Sequence, residues 1–324
     1  MKAFVLTSFD EQPAMADIPM PAAGPGQVLV RVHAASVNGI DLSIASGRLQ
    51  GMLEYEFPVV LGKDFAGRIE ALGAGVTGFA IGDRVFGVVS DPSPLSSRSL
   101  AEYLAVPAGA NITRIPEGVD LADAGVLGLA GSAALQAVEA IDPQSGEIVL
   151  VSGATGGVGA YAVQLAAARG ATVVATARGA EETTFVRELG ASHSVDYTGD
   201  VAAQVRAIRP DGIDAVLHFA GDGAQAGALL VTGGRLASTL IMAPEQFPLP
   251  NAQVFPVFAS SDAASRSSVA AEVAAGRLKT SIQRTFALDE AGDALAAFTA
   301  GTRGKLAIAI SWTPFHRPLQ RSCS

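Results

Sequence analysis

The sequence predicts an α/β protein in which a doubly wound parallel sheet is inserted into a second, mostly β domain. Three observations predict it. A glycine-rich turn joins a strand to a helix at 148–159; short apolar runs alternate with helical stretches after about residue 120; and short strands cut by glycine and proline precede that point.

The turn carries the most information. Ile148 to Ser152 reads as a buried strand, and Gly153-Ala-Thr-Gly-Gly-Val-Gly159 as a tight turn opening a helix that runs to about Arg169 and stops at Gly170. Small residues there let the backbone turn, let an anion come close and let the new helix pack on the sheet. The first N–H groups of that helix have no intrahelical acceptor, so Gly156, Gly157 and Val158 form a cradle for a pyrophosphate. Ala154 stands where G-x-G-x-x-G has its first glycine, so the weight rests on context: a second strand at 171–176 completes a βαβ unit.

Further strands are expected at 192–196, 213–219, 233–240 and 253–259, with helices near 180–189, 200–208 and 222–231. Six strands make a complete dinucleotide-binding sheet. After the second strand the chain reads Thr176-Ala-Arg178. A carboxylate there would accept from a ribose 2′-hydroxyl, whereas a guanidinium pairs with a 2′-phosphate, which favours NADPH over NADH.

Before residue 120 the strands are short, such as 27–34, 65–72 and 84–89. The tail holds a helix near 289–300 and a strand at 305–311, which the six-strand sheet does not need. The expected division is therefore 1–120 with 261–324 as a bipartite catalytic domain, and 121–260 as the cofactor domain. An alanine-rich helix at 263–275 leads back, the cleft between domains holds the chemistry, and the loop Asp91 to Ser99 lies at its mouth.

Composition narrows the function. A formal net charge of −9 argues against a nucleic-acid or anionic-membrane partner. No apolar run is expected to span a bilayer, and the chain starts on a strand-like Lys2 to Leu6 instead of a signal segment, so a cytoplasmic location is expected. The single cysteine, Cys323, excludes an intramolecular disulfide and a cysteine zinc cluster; His33, His193, His218 and His316 show no metal-ligand spacing.

Eight motifs in order complete the reading: Ala34-Ala-Ser-Val-Asn38-Gly-Ile-Asp41, Pro58-Val-Val-Leu-Gly62-Lys-Asp64-Phe-Ala-Gly67, Gly82-Asp-Arg-Val85, Ala101-Glu-Tyr103, the turn at 152–159, Glu188-Leu-Gly-Ala191, Gly233-Gly-Arg235 and Gly304-Lys305. Together they make the chain resemble the medium-chain dehydrogenase/reductase superfamily, and within it the zinc-independent quinone oxidoreductase, or zeta-crystallin-like, branch. The resemblance implies a Rossmann domain inserted in a GroES-like catalytic domain. Zinc alcohol dehydrogenases of the superfamily have a cysteine ligand where Asn38 stands, and their Gly-His-Glu is Gly62-Lys63-Asp64 here.

The activity implied is NADPH-dependent hydride transfer to a quinone or other conjugated carbonyl without zinc. Its alternatives are an enoyl or enone (alkenal) reductase and, in another class, a non-catalytic NADPH-binding sensor or structural protein. Asn38 is the expected residue beside nicotinamide and substrate, and Tyr55 is a phenol on the substrate side. Ser132 stands near the place of a family threonine, and Tyr197 matches a tyrosine near the adenosine phosphate. Phe219, Ala220 and Leu240 complete a cofactor set with Gly156, Gly157, Val158, Thr176 and Arg178. Glu182 falls where some relatives have a lysine, and His218 where many have an aspartate. Asp41 is expected to orient a loop, and Asp64 and Arg84 to pair at the cleft wall. A homodimer is expected through the apolar sixth strand.

Overall fold

A computed structural model describes residues 1–90, 94–109, 111–259 and 263–311. Cys323, His316 and residues 91–93 of the expected cleft-mouth loop lie outside the described residues.

The six expected strands form one parallel sheet. In space they run His193–Val195, Thr172–Thr176, Ile148–Ser152, Ile213–His218, Leu230–Ser238 and Ala252–Pro256. In chain order this is 3-2-1-4-5-6, which reverses between Ile148–Ser152 and Ile213–His218. Open sheets of this kind bind ligands beyond the strand ends at that reversal. Val149, Leu150 and Val151 are fully buried, as a central strand covered on both faces requires.

The remaining strands are mostly antiparallel. One sheet runs Ile282–Ala287, Lys305–Ala309, Gln27–Ser36, Asp64–Leu72, Arg84–Val88 and Ile112–Arg114, with Tyr103–Pro107 also on Gln27–Ser36. Ala14–Asp17, Lys2–Leu6 and Val59–Val60 form a smaller one. Ala307 to Ala309 pair with Ala34 to Ser36, so a late strand completes a sheet begun near the start of the chain.

Four helices position the site: α1 (Gly39–Ala45), α2 (Leu121–Ile141), α3 (Gly157–Ala168) and α4 (Gly179–Glu188). Helix α2 corrects one expectation. It has 21 residues, and its most apolar stretch has a mean hydropathy of 1.5, long and apolar enough to cross a membrane by length and composition, yet 72% of that stretch is buried within the fold. Glycine and alanine give it that character and also let it pack closely. A Cβ on Gly128 would lie 3.0 Å from the Gly87 carbonyl oxygen and 3.1 Å from Asp64 Oδ1. Lacking one, the helix backbone reaches Asp64, and the Leu129 N–H donates to Asp64 Oδ1 at 2.6 Å.

A second correction concerns 222–231. The helix there is only Gly223–Gly227, and the next strand begins at Leu230. Ile213 pairs with Leu230 but Ala215 with Arg235, so the intervening residues bulge. Gly233 sits in that bulge at φ +82°, a conformation strained for other residues.

Candidate active site

The cradle is built by the first strand and α3. Gly156 caps α3 with no side chain bonded to the helix start, which leaves the first-turn N–H groups for a ligand. A Cβ on Gly156 would meet only the Gly153 carbonyl oxygen, at 3.4 Å, so the protein itself leaves that side open. On Gly159 it would lie 2.1 Å from the same oxygen, which makes that glycine a packing requirement. Open space in front of unpaired N–H groups at a helix start fits a pyrophosphate.

Neighbouring strand ends hold the turn in place. The Thr176 hydroxyl accepts from the Gly153 N–H at 2.9 Å and donates to the Val151 carbonyl at 3.3 Å. Thr176, expected to meet the cofactor, is thus buried and braces the turn from behind. The Phe219 N–H donates to the Ser152 carbonyl at 3.0 Å, and the Ser152 hydroxyl donates to the Ala220 carbonyl, so both residues of the loop after the fourth strand flank the cradle. Val158 is half-buried at the helix start.

Arg178 precedes α4 and is exposed. Its guanidinium lies 5.8 Å from the centre of the Tyr197 ring, and the Tyr197 hydroxyl donates to Glu182 Oε1 at 3.4 Å. Glu182 also accepts the Arg178 N–H at 2.6 Å. Arg178 and Glu182, with Gly179, Ala180, Glu181 and Arg303, line an open cleft of about 270 Å³. Arg303 comes from the other domain and pairs with Glu181 at 2.8 Å.

His218 gains a structural account. Its Nε2 lies 3.2 Å from the Gly221 carbonyl and its Nδ1 2.9 Å from Ser238 Oγ, which in turn accepts the Leu240 N–H at 3.1 Å. With the proton on Nε2, every group in that chain is satisfied. The ring therefore ties the loop carrying Phe219 and Ala220 to the loop carrying Leu240, a largely exposed residue. Burial holds the His218 imidazole below the usual histidine range.

The deepest polar cluster surrounds Asn38. Its Nδ2 donates to Asp64 Oδ2 at 2.9 Å, and its Oδ1 accepts from the Lys305 ammonium at 2.6 Å. The ammonium also donates to the Val37 carbonyl at 3.0 Å and lies 3.7 Å from Asp64 Oδ2. Ser36 donates its hydroxyl to the same carboxylate oxygen at 2.6 Å. Burial pulls the Lys305 ammonium below the usual lysine value, against the opposing pull of Asp64 and Asp41.

Asp41 does orient a loop. It accepts the N–H groups of Asn38 at 2.8 Å and Gly62 at 3.2 Å, and burial pushes its carboxyl up to about 6. The expected pair between Asp64 and Arg84 is absent, because Arg84 donates to the Val119 carbonyl at 2.6 Å while Lys305 serves Asp64.

Tyr55 stacks its ring edge on Phe9, with centroids 4.8 Å apart, and its hydroxyl is buried with no partner among the described residues. Burial raises its phenol pKa, while Arg98, which also acts on Asp41, lowers it. Ser132 on α2 is likewise buried with an unpartnered hydroxyl. Asn38, Asp41 and Asp64 come together as one cluster, with Tyr55 on a separate aromatic patch. Lys305 is the residue that sequence reasoning missed; its only signal was a Gly-Lys pair at the start of a late strand.

Two family models match the chain: the alcohol dehydrogenase GroES-like domain over residues 24–117 and the zinc-binding dehydrogenase over 157–260. A chloroplast envelope quinone oxidoreductase homolog of Arabidopsis thaliana is 35% identical over 211 residues, 63% of this chain and 62% of that protein. An NADPH-dependent alkenal/one oxidoreductase of the same plant is 31% identical over 245 residues, 74% of this chain and 62% of that protein. The aligned stretch therefore spans under two thirds of either plant relative. The solved quinone oxidoreductase of Coxiella burnetii superposes with a TM-score of 0.86 at 30% identity, covering 96% of this chain and 99% of that one. With both family models in order and a full-length structural match, the chain belongs to the medium-chain dehydrogenase/reductase superfamily and is related to its quinone oxidoreductases.

Proposed function

We propose that this protein is a zinc-independent, NADPH-dependent oxidoreductase that passes hydride to a quinone or another conjugated carbonyl. The carrying observation is the Lys305 ammonium between Asn38 and Asp64. Where zinc members of the superfamily have a cysteine ligand, this chain offers an amide whose oxygen is already bound to a cation. A dication beside that ammonium would meet repulsion at about 3 to 4 Å in a buried site, with one carboxylate to offset it. Without a Lewis acid to hold an alkoxide, a carbonyl whose charge spreads through a π system is the better hydride acceptor.

NADPH supplies the hydride when bound. The chain's own part is to hold the pyrophosphate on the N–H groups of Gly157 and Val158, the Gly156 N–H being donated to the Gly153 carbonyl at 3.1 Å, and the 2′-phosphate at Arg178, with Tyr197 beside it. Phe219, Ala220 and Leu240 flank that path on loops fixed by His218. Reduction of an alkenal or enone uses the same arrangement, and the name of the second plant relative favours that reading as well.

NADPH oxidation against a panel of quinones and enones, before and after a chelator, tests the proposal. Turnover of either acceptor class that survives chelation supports it. Activity that follows stoichiometric zinc, or NADPH binding without oxidation across the panel, overturns it. The exposed edge of Ala252–Pro256, with Phe258 60% exposed beside it, supports a homodimer. A monomer mass at micromolar concentration would overturn that part.

A further inference from the structure

The cradle and the buried cluster are joined by two adjacent residues of the other domain. The Gly304 N–H donates to the Thr155 carbonyl at 2.7 Å, and Gly304 and Gly156 form a β-bridge. Lys305 then sends its stem across Gly157, so closely that a Cβ on that glycine would sit 2.5 Å from Lys305 Cδ. The same side chain ends on the Val37 carbonyl and Asn38 Oδ1. Its methylenes therefore touch the phosphate cradle while its charge holds the amide.

The chemistry of the donors fixes the amide's direction. Lysine can only donate and an ionised carboxylate can only accept, so an amide between them must turn its oxygen to Lys305 and its nitrogen to Asp64. Any movement of Gly157 therefore meets the stem packed on it, and that stem carries the ammonium bound to Asn38.

We propose that Lys305 is a positioning residue that makes occupation of the phosphate cradle and the setting of the Asn38 amide a single event. The proposal rests on the NADPH reading given above. Its consequence is that the segment from Ser36 to Ala45, including α1, tightens when a dinucleotide enters a cradle in the other domain.

Hydrogen–deuterium exchange of the full chain with and without NADPH tests this without relying on turnover. In the unaltered protein, NADPH slows exchange in both the 153–160 and 36–45 segments, by about fivefold or more. In Lys305→Met the protection at 153–160 remains and that at 36–45 is lost, while Lys305→Arg, which keeps the cation, retains both. Equal protection of 36–45 in the unaltered protein and in Lys305→Met overturns the coupling. Absence of protection at 153–160 in the unaltered protein overturns the NADPH reading itself, and the coupling with it. If Lys305→Met fails to fold, Lys305→Gln, which is too short to reach Asn38, serves as the same test.

A second readout distinguishes positioning from general support. In a double-mutant cycle, Lys305→Met slows single-turnover hydride transfer at saturating NADPH by about tenfold or more in the unaltered protein, and by under about twofold in an Asn38→Ala background. Equal losses in both backgrounds overturn an action through Asn38.

Discussion

Ser238 Oγ lies 2.9 Å from His218 Nδ1, and that contact holds the ends of two neighbouring parallel strands in one register. A protonated ring would put a proton on Nδ1, where the serine hydroxyl now donates, so the neutral form suits the site.

Stability should therefore fall with pH through this histidine. Its folded pKa lies below the unfolded value near 6.5, so the unfolded chain binds more protons in that window. The contribution is complete above about 6.5 and is lost as pH falls toward the folded value. His33 acts with the same sign, whereas Asp41, raised to about 6, gains stability as pH falls through that region. A comparison isolates the effect: between pH 7.5 and 5.5 the urea midpoint should fall further in the unaltered protein than in His218→Asn. Parallel pH profiles would remove His218 as the cause.

Arg178→Ala should weaken NADPH binding by roughly tenfold to a hundredfold and leave NADH binding within about twofold. A charge-assisted contact to a 2′-phosphate is lost, and NADH has no such group. Dissociation constants from fluorescence titration decide it; equal losses for both cofactors would show a structural role.

Gly156→Ala and Gly159→Ala should fail in different ways. The first adds a methyl that meets only one oxygen at 3.4 Å, so the protein folds but the cradle is obstructed. The second drives a methyl to 2.1 Å from the Gly153 carbonyl, which the fold must move to accept. The expected results are a near-normal melting temperature with NADPH affinity lowered at least about tenfold for Gly156→Ala, and a strongly lowered melting temperature for Gly159→Ala.

Asn38→Ala should lower both stability and rate. The variant removes an amide that serves a buried carboxylate and a buried ammonium, a loss of about 2 to 4 kcal/mol. Denaturant unfolding and single-turnover transfer measure the two effects. A variant as stable as the unaltered protein would show that neither bond matters.

The individual strands of the parallel sheet and the glycine turn were legible in the sequence because each is encoded locally. Period, glycine spacing and strand length determine Ile148–Ser152 and α3 within 21 consecutive residues. The cluster at Asn38 is a different case. Asn38 and Asp64 stand in recognisable motifs, but the ammonium that completes them comes from a residue 267 positions away. Strand pairing between Ala34 to Ser36 and Ala307 to Ala309 delivers it, and no local pattern encodes that pairing. The same holds for Arg84, whose partner is a backbone carbonyl at Val119 and carries no side-chain signature.

Helix α2 is packed against Gln27–Ser36, Asp64–Leu72 and Arg84–Val88 on one side and against α3 and Leu230–Ser238 on the other. Seven of its buried residues, from Ala124 to Ile141, belong to one apolar cluster that also contains Ala34, Ala66 and Phe86 from one sheet and Val149, Val151 and Leu217 from the other. Each half also has a cluster of its own, around Phe65 and Ile308 in one and around Leu150 and Val216 in the other, and this third cluster lies across both. Denaturant that opens one sheet therefore strips packing from the helix that also covers the other, so loosening of either half weakens its neighbour.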